Sequence, residues 1–308
     1  MLHPDDLRPR LQAVLAFPVT PFTDGGDVDL EGFRANLRYL EAAGLMGVVV
    51  AGGTGELYSL TPGECRALYR TAMEEVGERL TVIAGVGIGA RIAAELARDA
   101  EAVGCHGVLI LPPSYGAAEQ DGLYAYYRTV AEATALGVFP YARGQAIPTP
   151  DLLVRLADLP NVVAFKDGHG DLRLWARLRE RVGVERLVWL GGMGDDLVVP
   201  YFAAGAQGFT SSVANYDPQT ALDLFTLVSG GRFAEADRLL RERGVYAAYD
   251  LRARRKGHEV SVVKAAMELV GRPAGPVRPP LLPLSSAERE ELAGIMQGVR
   301  ESTLATTT

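Results

Sequence analysis

Short apolar runs alternate with amphipathic segments along most of this chain. The runs recur about every 20–30 residues and lack polar/apolar alternation, which is typical of strands covered on both faces. The strands that this pattern predicts span residues 13–19, 47–51, 80–84, 107–111, 138–141, 162–166, 187–190 and 208–211.

The segments between these strands predict helices with recognisable ends. Asp29, Thr61 and Thr149 are placed to act as N-caps, and Gly44 and Gly104 are placed to end the helices before them. The predicted helices span residues 30–43, 62–76, 92–103, 120–135, 150–158, 172–182, 195–204 and 218–228. Eight strand–helix units predict an α/β protein with a closed (β/α)8 TIM barrel over residues 1–230, in preference to an open doubly wound sheet.

The remaining segment, residues 231–308, predicts a C-terminal helical extension. Its three helices are expected at residues 233–249, 260–270 and 287–299, separated by a basic loop (252–257) and a proline-rich segment (273–283). We expect them to pack on the barrel instead of forming a second domain.

Composition narrows the class of protein. The 308 residues carry a net charge of −7 with a pI near 5.3, which argues against a nucleic-acid partner or an anionic membrane surface. The start of the chain has no apolar segment of a secretory signal, and no apolar run approaches the length of about 20 residues that spans a bilayer. Cys65 and Cys105 are expected to be reduced packing residues. We therefore expect a cytoplasmic enzyme that acts on a small molecule.

Two kinds of bound group are not expected. Residues 85–89 (GVGIG) resemble a dinucleotide-binding loop, but the spacing is short and the next strand ends in Leu111-Pro112-Pro113, with no acid for a ribose. The four histidines form no cluster with carboxylates at metal-ligand spacing. We expect neither a cofactor nor a metal.

Polar residues follow the predicted strands, and the loops after the strands carry the chemistry of a (β/α)8 barrel. Lys166 ends the sixth strand, and it is one of three lysines among 31 basic residues. Unlike arginine, lysine can lose its proton and form an imine with a carbonyl group. The alternative interpretation of this residue is a lysine that pairs with Asp167.

Neighbouring loops offer groups that suit an imine with a 2-keto acid. The Gly53-Thr54-Gly55 loop presents backbone N–H groups that could bind a carboxylate, although it could equally be a tight turn. Tyr141 ends the strand next to that of Lys166, from which it could shuttle protons, although tyrosines at strand ends are often packing residues.

Several stretches together resemble the dihydrodipicolinate synthase / N-acetylneuraminate lyase superfamily of class I aldolase-like barrels, over nearly the whole chain. They are residues 17–22 (FPVTPF), 52–56 (GGTGE), Tyr141 and 165–167 (FKD). Four more are similar to the branch that dehydrates and decarboxylates 5-dehydro-4-deoxy-D-glucarate: residues 143–145 (RGQ), 166–171 (KDGHGD), 260–264 (VSVVK) and 274–278 (AGPVR).

The resemblance implies a role for each matching residue. Lys166 would be the Schiff-base lysine and Tyr141 the proton-relay tyrosine. The keto-acid carboxylate would be bound by Thr54 and Gly53. The other residues expected to bind substrate are Tyr115, Gly192, Ser211 and Ser212. Arg143 is our candidate for the distal carboxylate of the substrate, with a surface arginine as the alternative. The resemblance also implies a homotetramer.

Two departures from the family pattern concern the substrate. Ala142 stands where the family usually has asparagine, and the segment 212–216 (SVANY) is one residue short against that branch. Two alternatives therefore remain: a sister aldolase or pyruvate-dependent synthase that uses the same imine, and a non-catalytic sugar-acid-binding paralogue.

Overall fold

The structure, a computed structural model, describes residues 2–113, 116–297 and 299 of the chain. Its eight strands are β1 Val14–Ala16, β2 Gly47–Val50, β3 Thr81–Ile88, β4 Gly107–Pro113, β5 Gly137–Ala142, β6 Ala164–Asp167, β7 Val188–Gly191 and β8 Gly208–Ser211. They pair in parallel and in chain order, and β8 returns to β1 to close the barrel. The predicted (β/α)8 barrel is confirmed.

Helices connect successive strands and cover the outside of the barrel. The helices between β1 and the end of the barrel are α2 Leu30–Ala42, α3 Pro62–Val76, α4 Ala90–Val103, α5 Gln120–Ala131, α6 Pro150–Ala157, α7 Leu172–Val182, α8 Val198–Ala203 and α9 Pro218–Ser229. Asp29, Thr61 and Thr149 cap α2, α3 and α6 through their side chains, as predicted. Within the described residues, no helix is long and apolar enough to span a membrane.

The N-terminal segment forms a helix that the sequence did not predict, α1 Pro4–Leu11. Leu7 and Leu11 of this helix join the apolar side chains that fill the barrel interior. Leu7 reaches the first residues of β4 and β5, where a Cβ on Gly107 or Gly137 would lie 2.5 or 2.9 Å from its Cδ2 atom. The helix therefore closes the end of the barrel at which the strands begin.

The C-terminal segment contains four helices in its described part, where three were predicted. They are α10 Phe233–Glu242, α11 Val245–Ala253, α12 His258–Leu269 and α13 Ser286–Ile295. The predicted single helix over 233–249 is wrong, because the chain turns at Gly244, which has a φ of 65°. A side chain at that position would also meet Ile295 of α13 at 2.8 Å.

These helices reach the end of the barrel where the strands finish. α11 packs against the 3₁₀ turn Asp195–Leu197 that follows β7, and α12 packs against the 3₁₀ turn Val213–Asn215 that follows β8. The C-terminal segment therefore contacts the loops in which a (β/α)8 barrel carries its chemistry.

The GVGIG segment does not form a loop. Gly85 to Ile88 lie within β3, which is longer than predicted. A Cβ on Gly85 would lie 2.4 Å from the carbonyl oxygen of Ala51, so this glycine permits close approach of the β2 end to β3.

Candidate active site

A cavity of about 580 Å³ opens at the C-terminal ends of the strands. It brings together the predicted site residues from five different loops or strand ends, namely Gly53, Thr54, Tyr141, Arg143, Lys166, Gly192, Ser211 and Ser212. Tyr115 lies outside the described residues. Among the described residues, no group of three histidine, cysteine, aspartate or glutamate side chains is placed to hold a metal ion.

Lys166 is buried at the base of this cavity, with 3% of its surface exposed. Its Nζ atom lies 3.6 Å from the ring centroid of Tyr141 and 4.3 Å from that of Phe17. Burial holds the pKa of Lys166 well below its usual range, and the positive charge of Arg143 lowers it further. A larger fraction of this lysine is therefore neutral and nucleophilic near neutral pH than for a lysine in water.

Asp167 does not serve as the counter-ion of Lys166. Its carboxylate accepts hydrogen bonds from the hydroxyl of Tyr201 and from the backbone N–H groups of His169 (3.3 Å) and Gly170 (3.0 Å). No carboxylate among the described residues lies within 4 Å of the Lys166 ammonium. The arrangement thus favours a reactive lysine over a structural ion pair.

Tyr141 lies directly beside Lys166 because the two residues pair between β5 and β6. Arg143 donates a hydrogen bond from Nη1 to the Tyr141 hydroxyl (3.1 Å). Burial raises the pKa of Tyr141, and the Arg143 charge opposes that shift. A fixed phenol with a neighbouring cation can carry a proton to and from groups attached to Lys166.

The Gly53–Thr54 loop is held in an unusual backbone conformation. Ala51 and Glu56 flank it with φ values of 53° and 57°, in the left-handed region that non-glycine residues seldom adopt. Thr54 is buried at the cavity wall, and a Cβ on Gly53 would have no atom of the described residues within 4 Å. The loop therefore leaves room for a ligand beside its backbone.

Residues of the C-terminal segment stabilise the Gly53–Thr54 loop from outside the cavity. The carboxylate of Glu56, which is completely buried, pairs with Lys264 Nζ of α12 at 2.8 Å. It also accepts a hydrogen bond from the backbone N–H of Arg278 (3.1 Å). Lys264 and Arg278 end two of the stretches on which the family resemblance rests, and both act on the loop and not inside the cavity.

Asp195 organises the loop after β8, a role that the sequence did not indicate. This buried carboxylate accepts hydrogen bonds from the hydroxyl of Ser211, from the backbone N–H of Ser212 (3.0 Å) and from the hydroxyl of Tyr249 (2.8 Å). Asp195 follows β7 and Tyr249 lies in α11, so no local pattern joins them. The network fixes both predicted serines at the cavity wall.

Two further charged residues on the cavity wall come from the C-terminal helices. Arg252 of α11 and Glu259 of α12 line the cavity, and Glu259 pairs with Arg143 at 2.9 Å and with Arg252 at 3.2 Å. The sequence placed Arg252 in a basic loop, and nothing in the local pattern distinguishes it from the exposed Arg254 and Arg255.

Comparison with known proteins gives consistent matches. Residues 10–299 match the model of the dihydrodipicolinate synthetase family. The chain is 42% identical over 300 residues to a probable 5-dehydro-4-deoxyglucarate dehydratase of Saccharopolyspora erythraea, covering 96% of each chain. A protein of the same name from Rhodococcus opacus is 40% identical over 300 residues, covering 96% of this chain and 98% of that one. The crystal structure of dihydrodipicolinate synthase from Oceanobacillus iheyensis superposes with a TM-score of 0.90 at 28% identity, covering 96% of this chain and 98% of the other.

Proposed function

The chain belongs to the dihydrodipicolinate synthetase family, and we propose that it is a Schiff-base lyase that converts 5-dehydro-4-deoxy-D-glucarate into 2,5-dioxopentanoate, CO2 and water. The relatives named as probable 5-dehydro-4-deoxyglucarate dehydratases, at 42% and 40% identity over almost the whole chain, support the substrate. The observation that carries the chemistry is the buried Lys166, which lies over the Tyr141 ring without a carboxylate partner among the described residues.

The reaction begins with imine formation. Lys166 Nζ attacks the ketone carbon, and loss of water leaves a protonated imine. Tyr141 relays protons during this step. The carboxylate next to the ketone lies against Thr54 and the backbone of Gly53, where N–H groups can bind it. Gly192, Ser211 and Ser212 also line the pocket.

The imine then serves as an electron sink twice. Tyr141 or a water molecule removes a proton from the methylene next to the imine, and the resulting enamine expels the β-hydroxyl as water. The conjugated imine that forms accepts the electron pair of the carbon–carbon bond as the distal carboxylate leaves as CO2. Tautomerisation and hydrolysis release 2,5-dioxopentanoate and free Lys166. The balance is one substrate to one product, one CO2 and one water, without a cofactor or metal in our scheme.

Arg143 is the proposed partner of the distal carboxylate, and its position also suits a second task. Its two terminal nitrogens already contact the Tyr141 hydroxyl and the Glu259 carboxylate. Arg143 can therefore orient the proton relay while it presents positive charge to the substrate. Moderate attraction is favourable here, because binding a departing carboxylate too tightly would stabilise the substrate more than the transition state.

Product analysis tests the proposal directly. With 5-dehydro-4-deoxy-D-glucarate we expect CO2 and 2,5-dioxopentanoate in equal amounts, whereas release of pyruvate would identify the aldolase alternative. Borohydride reduction in the presence of pyruvate should attach the keto acid to Lys166, as read by peptide mass. Lys166→Ala should abolish both reactions, and Lys256→Ala, which changes an exposed lysine, should leave both intact. Full turnover by Lys166→Ala would refute the mechanism.

The assembly and the cellular location stay predictions. The family resemblance supports a homotetramer, which light scattering of the purified protein would check. The two cysteines, both buried and unpaired, support a reducing compartment such as the cytoplasm.

A further inference from the structure

Arg252 is the most deeply buried of the arginines on the cavity wall. It lies near the end of α11, and 9% of its side chain is exposed, compared with 40% for Arg143. Neither the family resemblance nor the proposed mechanism gives this arginine a role. Burying a cation in the wall of a ligand cavity costs folding free energy, unless the cation has partners or binds an anion.

Three contacts hold the guanidinium of Arg252 in place. Its Nη1 atom donates to Ser212 Oγ (2.8 Å), its Nη2 atom pairs with Glu259 (3.2 Å), and its central carbon lies 4.0 Å from the ring centroid of Tyr249. A guanidinium has five N–H donors. Ser212 and Glu259 therefore leave donors for a ligand, and they fix the direction in which those donors point.

Two carboxylates act on Arg252, those of Glu259 and Asp195, and both are already engaged by other groups. The arginines at 143 and 252 share the single carboxylate of Glu259, and their charges lower the pKa of Glu259 against the effect of burial. The remaining N–H donors of Arg252 are thus suited to one additional carboxylate.

Resting on the proposed function, we propose that Arg252, held in place by Ser212 Oγ and Glu259, binds the distal carboxylate of the substrate, the one that leaves as CO2. The C-terminal helices thereby supply the part of the site that distinguishes a keto dicarboxylate from a keto monocarboxylate. Arg143 pairs with the other oxygen of Glu259 and is the second proposed partner of the same carboxylate. The carboxylates of Glu259 and Asp195 offset the charges of the two arginines, so the leaving carboxylate is oriented by hydrogen bonds without being held against its departure.

Two keto acids of equal length test this assignment. 2-Oxoadipate has the six-carbon backbone and both terminal carboxylates of the substrate, and 2-oxohexanoate differs from it only in having a methyl group in place of the distal carboxylate. Each is trapped on Lys166 with borohydride over a range of concentrations, and the half-saturating concentration is measured. Arg252→Met should raise that value about 10- to 100-fold for 2-oxoadipate, as expected for a lost charge-assisted hydrogen bond. The value for 2-oxohexanoate should stay within about twofold.

Matched variants separate binding from structural damage. Arg254→Met removes an exposed arginine two residues away, which pairs with Glu291, and should change neither value. Arg252→Lys should restore part of the preference for 2-oxoadipate. If Arg252→Met does not fold, Arg252→Met combined with Glu259→Gln removes the cation and its counter-ion together, and the same selective loss is expected.

The proposal is overturned if the values for both keto acids rise together, or if neither changes. It can fail independently of the proposed function, because trapping requires no turnover. A wild-type protein that prefers 2-oxoadipate through Arg252 but releases no CO2 from 5-dehydro-4-deoxy-D-glucarate would support this carboxylate site and refute the dehydratase.

Discussion

Replacing Gly192 with alanine displaces the proposed nucleophile without touching its chemistry. Gly192 follows β7, and a Cβ at this position would lie 2.4 Å from Cε and 2.6 Å from Cγ of Lys166. It would also lie 2.8 Å from the carbonyl oxygen of Asp167, which is fixed in β6 and cannot retreat without disturbing the strand pairing. The lysine side chain therefore has to move, and the backbone at position 192 has to shift by a few tenths of an ångström to relieve the contact with the carbonyl oxygen.

The size of the effect follows from these distances. Carbon atoms in contact are about 3.5 Å apart, so the end of the lysine must shift by about 1 Å. A misplacement of about 1 Å at a reacting group costs on the order of 10²-fold in rate. Overpacking a well-filled site also costs about 1–3 kcal/mol of unfolding free energy, which a protein of this size can absorb.

Two rates should report the displacement. We expect Gly192→Ala to lower both kcat/KM for CO2 release and the rate of pyruvate trapping on Lys166 by on the order of 10²-fold. The matched control is Gly116→Ala, because Gly116 lines the same cavity and a Cβ there has no atom of the described residues within 4 Å. The control should stay within about twofold of wild type in both assays.

A specific result would refute this reasoning. If Gly192→Ala folds normally and both rates stay within about threefold of wild type, far less than a shift of about 1 Å predicts, Lys166 does not react from the position described. If turnover falls but trapping does not, the alanine obstructs the substrate instead of moving the lysine.

Three further predictions follow from the charged groups. Arg143→Met should raise the pKa of Lys166, because the guanidinium charge lowers it, and the pH profile of pyruvate trapping should shift to higher pH; an unchanged profile would contradict this. Lys264→Met leaves the buried carboxylate of Glu56 without its cation, so it should lower the unfolding free energy by about 3–5 kcal/mol in urea titrations. A loss below about 1 kcal/mol would show that water reaches the ion pair. Burial raises the pKa of Asp196 from 3.8 to about 6, so its ionisation destabilises the fold as pH rises through that interval. Asp196→Asn should therefore gain about 1–3 kcal/mol over wild type near pH 8 and almost nothing near pH 4, in urea titrations at both pH values.

The barrel was predictable because its signals are local. Strands covered on both faces are continuous apolar runs, and caps such as Asp29 and Thr61 lie next to the helices that they begin. The two errors in the helix predictions, at α1 and at Gly244, also have local causes. α1 is a single short segment with two buried leucines and a proline inside it, too little for a periodic pattern. Gly244 ends a helix where the sequence around it continues to favour one.

The rarity of lysine could not by itself distinguish Lys166 from Lys264. Lys166 and Lys264 are both buried in this arginine-rich chain. Lys264 pairs with Glu56 at 2.8 Å, whereas Lys166 lies over aromatic rings at the cavity. Their position in the topology, and not their rarity, distinguishes the candidate nucleophile from the structural cation.

The sequence by itself determined the eight strand–helix units and the placement of Lys166 and Tyr141 on neighbouring strand ends, because each depends on residues close together in the chain. Only the tertiary structure decided which charged groups complete the site. Asp195 meets Tyr249, and Arg143 meets Glu259, across separations of 54 and 116 residues. Such pairs depend on how the C-terminal helices pack over the barrel mouth, and no local pattern records that packing.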